Sequence, residues 1–353
     1  STLNYWRELA PEVVICGLLN EPSDGLAILR EIVSKDPDAQ VIVVAEAVAM
    51  KQVAEALRIG ASDFLIRPIS DVEVLLHAVK RAFEEHQLNS DNRHYREALE
   101  AKNKELNESL RLLKEDQEAG RAVQLKMLPE LQQNFDGLRI EYRIIPSLYL
   151  SGDCIDYFSL GKGRLGFYLA DVSGHGASSA FVTVLLKTTA NRVKQSLYGS
   201  SREESFPLEI LNRANDELLP LGLGKHLAIF CGYIDLASRK LIYACAAHFP
   251  PPILMTDGQV TLLEGKGLPV GLFEDVNYEI HEVELGKQFR LVTFSDGVLE
   301  LIPSKTVAEK VAQLLEIVVN GRHNVSQLMD HLGLHELAAV PDDIALMTIE
   351  CSE

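Results

Sequence analysis

The sequence predicts an α/β domain with a parallel sheet, then a long helical coiled-coil linker, then an α+β domain with mostly antiparallel strands. Three observations support this prediction. Short β-branched runs alternate with segments of helical spacing in the N-terminal third, which is typical of a parallel sheet. Residues 89–124 consist mainly of strong helix formers. After residue 128, candidate strands and helices mix without regular alternation.

The 353-residue chain is acidic, with 51 Asp and Glu residues against 34 Lys and Arg residues and a net charge of −17. A surface of this sign repels nucleic acids and anionic membranes, so we expect neither as a partner. The five cysteines are scattered, as is typical of a reduced chain without disulfides. The sequence contains no recognisable signal peptide or transmembrane segment, and we expect a cytoplasmic protein.

Three strands and three helices are predicted in the N-terminal third from β-branched runs and from the spacing of apolar residues. Their alternation favours right-handed crossovers between parallel strands. The strands are predicted at 13–16, 41–44 and 63–66, and the helices at 24–34, 48–59 and 71–83.

Two segments of this region are PEVVICGLLNEPSDGLAIL and ALRIGASDFLIRPI. They resemble the phosphoacceptor region and the last strand of a response-regulator receiver, a domain with a flavodoxin-like parallel sheet. In residues 1–84, the resemblance places Gly17 at the phosphorylated aspartate, Ala45 at the switch Ser or Thr, and Arg67 at a lysine. The acidic pair with which the family binds magnesium has no counterpart here. We therefore expect a truncated, degenerate receiver that does not accept a phosphoryl group.

The linker, residues 85–127, has a heptad pattern. Leucines recur every seven positions at Leu99, Leu106 and Leu113, which predicts a short coiled coil and hence a homodimer. A single amphipathic helix that packs on its own domains is the alternative. The partner positions of the heptads are Asn103, Leu110 and Gln117.

The segment RLGFYLADVSGHGASSA contains a strand-length apolar run that ends at Asp171. Gly174 and Gly176 permit a sharp turn after it, and a helix is predicted from Ala177. A buried carboxylate is costly unless it is paired or coordinates a metal. Asp171 could alternatively only cap the turn before the helix.

Other aspartates also stand beside glycines or turns at strand ends, in the segments SGDCID, TFSDG and PDDIA. These residues are far apart in sequence, but two packed sheets could bring them together. Crowded carboxylates repel one another, and divalent cations neutralise them. An Asp-rich set without Cys or paired His favours magnesium or manganese over zinc. The aspartates are Asp153, Asp156, Asp296, Asp342 and Asp343.

The same periodicity arguments predict the other elements of the C-terminal domain, including a hairpin turn at Thr256–Gln259. Strands are predicted at 138–145, 165–170, 228–235, 240–246, 253–255, 278–283, 290–295 and 345–349. Helices are predicted at 177–196, 207–218, 306–319 and 325–332.

Taken in order, the acidic segments and the stretch AAHFPPPILMTDGQVTLLEGKGLPVGLF resemble the PPM family of metal-dependent protein phosphatases, in its SpoIIE/RsbU branch. The resemblance spans residues 128–353. It implies a β-sandwich flanked by helices, two Mn²⁺ or Mg²⁺ ions, and hydrolysis of phosphoserine or phosphothreonine in a protein substrate.

The resemblance also implies roles for individual residues. Asp171 would bridge the two ions, with the Val172 carbonyl as a backbone ligand. His175 would protonate the leaving serine oxygen or, alternatively, only stiffen its turn. Asp153 would bind on one side of the pair of metal ions, and Asp296 and Asp342 on the other. Asp343, Asp156 and Gly297 would lie in the surrounding layer, with direct contact to an ion as the alternative for Asp343 and Asp156, so that Asp343 is also a candidate metal ligand.

Two functions follow from these resemblances. The first is a phosphatase that acts on a phosphoprotein such as an anti-sigma-factor antagonist. The second is a non-enzymatic adaptor, because a receiver joined to this output domain also resembles RssB-type proteins, which bind the stationary-phase sigma factor and deliver it for proteolysis. Retention of the aspartates favours the first function.

Overall fold

The computed structural model describes residues 9, 11–18, 22–174, 176–320, 324–334 and 340–351. The chain forms two compact units, which divide between residues 111 and 112. None of the helices in the described ranges combines the length and the apolar character that a bilayer crossing requires. All five cysteines are buried and free of disulfides.

The N-terminal unit contains the predicted three-stranded parallel sheet, in the order β1-β2-β3. The strands are β1 (Val13–Leu18), β2 (Gln40–Glu46) and β3 (Asp63–Arg67). Helix α1 (Pro22–Lys35) and helix α2 (Met50–Ile59) are the first two helices. They lie against one face of the sheet, where Leu29, Ile32, Val53 and Ala56 join the strand residues in one buried cluster.

Helix α3 (Val72–Met127) is a single helix of 56 residues. In the N-terminal unit, Ala78 and Ala82 pack against Ile42 and Leu65 on the other face of the sheet. The sequence predicted a helix at 71–83 and a separate linker, but the structure joins them. No proline interrupts the chain between Pro68 and Pro129, so nothing stops helix propagation there.

The three positions that depart from the receiver pattern lie together at the carboxyl ends of the parallel strands. Gly17 pairs with Val44, and Arg67, the last residue of β3, pairs with Glu46. Ala45 is fully buried next to them on β2. The strand ends that the resemblance identified therefore meet, but neither Gly17 nor Ala45 has a polar side chain.

The C-terminal unit contains two antiparallel sheets. The first has the strand order β11-β10-β13-β14-β5-β4, and the second has the order β12-β9-β8-β7-β6. The first sheet consists of β4 (Gln132–Phe135), β5 (Leu138–Ile145), β10 (Ile253–Thr256), β11 (Gln259–Leu262), β13 (Phe289–Phe294) and β14 (Ile344–Cys351). The second sheet consists of β6 (Asp153–Gly161), β7 (Arg164–Val172), β8 (Leu227–Asp235), β9 (Lys240–Ala246) and β12 (His281–Glu284).

The two sheets pack face to face, and helices cover both outer faces. The core between the sheets includes Ile140 and Met347 from the first sheet and Phe167 and Phe230 from the second. Helices α4 (Ala177–Leu197) and α5 (Phe206–Leu218) pack on the second sheet, and helices α6 (Val307–Asn320) and α7 (Val325–His331) on the first. This arrangement confirms the predicted helix-flanked β-sandwich.

Strands β4 and β6 were not predicted, whereas β11 follows β10 at the predicted hairpin turn, with Thr256 opposite Gln259. Strand β6, with the sequence DCIDYFSLG, contains two aspartates and lacks a continuous apolar run. It forms because it pairs along its length with β7, from Asp153 opposite Asp171 to the turn at Gly161. The strand predicted at 278–283 begins later in the structure, as the four-residue strand β12 (His281–Glu284).

We expect the chain to remain unmodified when it is incubated with acetyl phosphate and Mg²⁺, because neither Gly17 nor Ala45 offers an acceptor oxygen on its side chain. Intact-protein mass spectrometry would measure any acid-labile phosphoryl adduct. A functional receiver domain in the same reaction is the positive control. An adduct on a peptide from residues 11–67 would contradict the expectation.

Candidate functional site

Asp153 and Asp171 lie directly opposite each other on two neighbouring strands. Asp153 begins β6, Asp171 stands one residue before the end of β7, and the two residues are register partners. Directly opposed residues point to the same face of a sheet with Cβ atoms about 5 Å apart. Asp153 is only 2% exposed. The sheet therefore holds two carboxylates side by side, where they repel each other.

Asp296 and Asp342 belong to the other sheet. Asp296 follows β13, and Asp342 precedes β14, the strand that pairs with β13. The backbone N–H of Ser295 donates to the Ala345 carbonyl at 2.9 Å, which extends this pairing to the position before Asp296. The two sheets thus each contribute acidic residues at one end of the sandwich.

The pKa values indicate how closely these groups interact. Burial, followed by the charge of Asp171, raises the pKa of Asp153 well above its ordinary value. Burial, followed by Asp296, raises the pKa of Asp171 to about 7. Burial and then Asp342 raise the pKa of Asp296. The structure therefore brings Asp153, Asp171, Asp296 and Asp342 into one group, which we call the carboxylate cluster.

Ser295 joins the two sheets at this cluster. Its hydroxyl donates to Oδ2 of Asp153 at 2.7 Å and accepts from the Ala345 N–H at 2.7 Å. In the segment TFSDG, Asp296 was the predicted site residue and Ser295 was not. A polar residue at the end of the fully buried strand β13 was the available signal, because buried polar groups require partners.

Asp343 differs from its neighbour Asp342. One of its oxygens accepts from the N–H and hydroxyl of Ser147, at 2.6 and 2.8 Å, and the other accepts from the Gly152 N–H at 2.6 Å. Its side chain therefore positions the loop before β6. Gly297 serves the same packing, because a Cβ there would lie 2.1 Å from the Asp343 carbonyl oxygen.

Asp156 lies away from the carboxylate cluster. It is three residues after Asp153 on β6, and successive residues of a strand point to opposite faces. Its carboxylate forms a buried ion pair with Lys187 of helix α4 at 2.7 Å. Burial raises the pKa of Asp156 above its ordinary value, and the charge of Lys187 offsets part of this shift. The structure therefore does not place Asp156 beside the proposed metal ligands, where the resemblance expected it. His175 lies outside the described residues.

The donor set of the cluster fits a divalent cation of the magnesium or manganese type. All its side-chain donors are carboxylate oxygens, the ligands such cations prefer. Oδ1 of Asp153 is buried without a hydrogen-bond partner, an expensive state that a cation would relieve. Within the described ranges, no three His, Cys, Asp or Glu side chains already converge as a complete ligand set.

The last turns of helix α3 contact the loop that precedes Asp153. The Gln124 side chain donates to the Ser151 carbonyl at 2.7 Å and to the Thr183 hydroxyl at 3.1 Å, and it accepts from the Ser151 N–H at 3.2 Å. A cavity of about 240 Å³ lies beside these bonds and is lined by residues that include Gln124, Asp153 and Lys187. A helix that packs on its own domain was the alternative to the coiled coil, but no local pattern in the sequence identifies Gln124 as the contact residue.

Comparison with known proteins yields two family matches. Residues 161–352 match the family described as Stage II sporulation protein E (SpoIIE), and residues 1–80 match the response regulator receiver domain. Phosphoserine phosphatase RsbP of Bacillus subtilis is 31% identical over 194 residues, 53% of this chain and 46% of RsbP. The match thus spans about half the length of that relative. Regulator of RpoS of Escherichia coli K12 is 24% identical over 268 residues, 74% of each chain.

Two solved structures support the fold. The SiaA-PP2C domain of Pseudomonas aeruginosa has a TM-score of 0.54 at 18% identity, covering 68% of this chain and 97% of that one. The RsbU and RsbW domains of Rv1364c from Mycobacterium tuberculosis have a TM-score of 0.51 at 22% identity, covering 63% of this chain and 61% of that one. At these identities the likeness concerns the fold alone.

In a metal-free buffer, we expect Asp171→Asn to stabilise the chain relative to wild type, and to do so increasingly as the pH rises from about 4 to about 7. The folded-state pKa of Asp171 is raised from 3.8 to about 7, so the folded state holds the proton more tightly. The stability from this group is therefore present below the unfolded-state pKa and is lost as the pH rises through the folded-state pKa, at up to about 1.4 kcal/mol per pH unit.

Thermal unfolding of both proteins with a chelator present, across this pH range, measures the difference. Asp235→Asn, at the opposite end of β8 from the residue that pairs with Asp171, is the control for the removal of one acidic residue from the same sheet outside the carboxylate cluster. A pH-independent difference between Asp171→Asn and wild type would contradict the expectation.

Proposed function

The chain belongs to the SpoIIE family, with a response-regulator receiver domain ahead of its PPM phosphatase domain, and we propose that it is a metal-dependent phosphoprotein phosphatase. The observation that supports this proposal is the carboxylate cluster, to which both sheets contribute. A group of mutually repelling carboxylates at an accessible end of a fold serves no packing purpose, but it suits the binding of divalent cations.

The proposed ligands are the carboxylates of Asp153, Asp171, Asp296 and Asp342, with the Val172 carbonyl as a backbone ligand, for two Mn²⁺ or Mg²⁺ ions. Such ions, when bound, supply an activated water and neutralise charge on phosphoryl oxygens. The chain's own residues prepare the site. Asp153 and Asp171 release protons as cations bind, because their pKa values are raised by burial and by their acidic neighbours.

Other residues hold these ligands in position. Ser295 orients Asp153 through a hydrogen bond to Oδ2 and leaves Oδ1 for a cation. Asp343 already accepts three hydrogen bonds from Ser147 and Gly152, so we assign it to the support of Asp342 and the loop before β6. Its backbone N–H donates to Oδ1 of Asp342 at 2.8 Å. His175 is proposed as the proton donor to the leaving serine oxygen.

The proposed substrate is a protein that carries phosphoserine or phosphothreonine, such as an anti-sigma-factor antagonist, in the cytoplasm. The relatives RsbP and RsbU of Bacillus subtilis are both named phosphoserine phosphatases. RsbU is 27% identical over 242 residues. These names support the reaction type for this chain.

The alternative function is that of an adaptor that binds a sigma factor. The match to Regulator of RpoS favours it, because that match covers 74% of both chains and so includes more of this chain than the match to RsbP does. Retention of the stationary-phase sigma factor by the immobilised chain would support this second function. Absence of binding in every phosphorylation and nucleotide state would rule it out.

We expect the chain to hydrolyse p-nitrophenyl phosphate and a phosphoserine protein in the presence of Mn²⁺, and Asp171→Asn to lower kcat by about 100-fold or more, since a lost metal ligand removes several kcal/mol of transition-state stabilisation. Release of inorganic phosphate measures both. Asp235→Asn is the matched control and should retain wild-type activity. Equal activity of Asp171→Asn and wild type would exclude the phosphatase proposal.

We also propose that helix α3 pairs with a second copy of the chain as a coiled coil. Leu99, Leu106, Leu110 and Leu113 are each more than half exposed along this helix. They occupy the two seam positions of successive heptads, and exposed leucines at this spacing are typical of a dimer interface. Asn103, at another seam position, would set the register of the pair.

We expect the wild-type chain to sediment as a dimer and Leu106→Lys to weaken the dimer by at least about tenfold in Kd, because an ammonium group at the seam must be desolvated. Ala101→Lys, on the opposite side of the helix, is the control and should remain dimeric. Sedimentation velocity over a range of concentrations measures both variants. A monomeric wild-type chain would exclude the coiled-coil dimer.

A further inference from the structure

A phosphatase site built from carboxylates faces an electrostatic problem with its substrate. A phosphoserine carries nearly two negative charges at neutral pH, which acidic side chains repel. A cation from the protein would reduce this repulsion, and the sequence offered no arginine for the task. In the C-terminal unit, the arginines that form ion pairs with glutamates are Arg139, Arg164, Arg192, Arg202 and Arg213.

Lys225 lies at the end of β7 that carries Asp171. Its Nζ donates to the carbonyl oxygen of Ser173 at 2.8 Å, and Ser173 is the second residue after Asp171. Lys225 itself stands two residues before Leu227, the first residue of β8, and β8 is the neighbour of β7. The ammonium group is therefore next to the strand end from which the carboxylate cluster is built.

Two hydrogen bonds between Ser173 and His226 keep Lys225 at this place. The N–H of Ser173 donates to the His226 carbonyl at 2.9 Å, and the N–H of His226 donates to the Ser173 hydroxyl at 3.1 Å. These bonds extend the pairing of β7 and β8 beyond Val172. The segment that carries Lys225 is thereby joined to the segment that follows Asp171.

Gly174 allows the ammonium group to approach the backbone. A Cβ at this position would lie 2.9 Å from Nζ of Lys225, which is closer than ordinary contact. Gly174 also has a φ of +72°, a conformation that glycine adopts without strain. The backbone beside Asp171 is thus open to the lysine.

The charge of Lys225 is not neutralised within the described part of the chain. An ammonium group has three N–H donors, and the Ser173 carbonyl uses one of them. No carboxylate of the described residues forms an ion pair with it, whereas Lys187, which lines the cavity beside Asp153, is paired with buried Asp156. Lys225 is half-buried, so a ligand can still reach its side chain.

We propose that Lys225 is the phosphate-binding residue of this site and that its ammonium group donates hydrogen bonds to the phosphoryl oxygens of the substrate. This inference rests on the proposed phosphatase function. A charged donor placed at this strand end would attract the substrate's phosphoryl group without competing with the carboxylates for cations. It also explains how an acidic chain binds a dianionic substrate.

The test compares wild type, Lys225→Met and Lys225→Arg in Mn²⁺-dependent hydrolysis of p-nitrophenyl phosphate and of a phosphoserine protein. Loss of one charged hydrogen bond should lower kcat/KM of Lys225→Met by about 10- to 100-fold. Inhibition by inorganic phosphate should weaken by about tenfold or more. Lys225→Arg should recover most of both, since it keeps a cationic donor.

Lys162→Met is the matched control. Lys162 lies in the hairpin turn between β6 and β7, at the far end of the strands that carry Asp153 and Asp171, and is exposed. Its hydrolysis and phosphate inhibition should equal those of wild type. Calorimetric Mn²⁺ binding and far-UV circular dichroism verify that Lys225→Met remains folded and still binds metal.

The outcomes separate this inference from the proposed function. If wild type hydrolyses both substrates and Lys225→Met keeps wild-type inhibition by phosphate, Lys225 does not bind phosphate and this inference alone is overturned. A purely structural lysine would lower the melting temperature and kcat, leave phosphate inhibition unchanged, and not be rescued by arginine. If wild type does not hydrolyse either substrate and equals Asp171→Asn, the proposed function fails, and the inference fails with it.

Discussion

Repulsion among carboxylates at one end of the β-sandwich is the interaction on which the rest of the C-terminal unit depends. Asp153 and Asp171 are opposed on neighbouring strands, and Asp296 and Asp342 approach from the other sheet. Such crowding is tolerated because surrounding groups stabilise it. Ser295 donates to Asp153 and bonds to β14, so one hydroxyl connects the two sheets. Unfavourable charge is thereby accumulated where a cation can offset it.

The end of helix α3 and the carboxylate cluster are neighbours in the same unit. Gln124 bonds to Ser151, and the hydroxyl of Ser151 accepts the N–H of Asp153 at 3.0 Å. A change in the last turns of this helix would therefore reach Asp153 through two hydrogen bonds. The receiver domain, by contrast, lacks a side-chain acceptor at Gly17 and Ala45. A control of the output that acts through the helix or a bound partner fits this combination better than phosphorylation does.

Local sequence patterns predicted much of the fold, for reasons that are themselves local. Alternating β-branched and amphipathic segments identified the parallel sheet, and apolar runs identified β7, β8 and β13, since burial on both faces requires continuous apolarity. Strand β6 escaped notice because its aspartates interrupt any such run, and it is formed by pairing with β7. The helix predicted at 71–83 and the helical linker predicted at 85–127 form one continuous helix, because helix-forming residues continue from one to the other.

By itself, the sequence determined which residues could form a charged site, because Asp171 at the end of an apolar run and the Asp-Gly and Asp-Asp turns are recognisable locally. Tertiary structure alone decided which of them meet. Asp153 joins Asp171 through strand register, whereas Asp156 turns to the opposite face and pairs with Lys187. Likewise, Asp343 bonds to Ser147, a residue 196 positions away. These choices depend on contacts between distant segments, which no local pattern records.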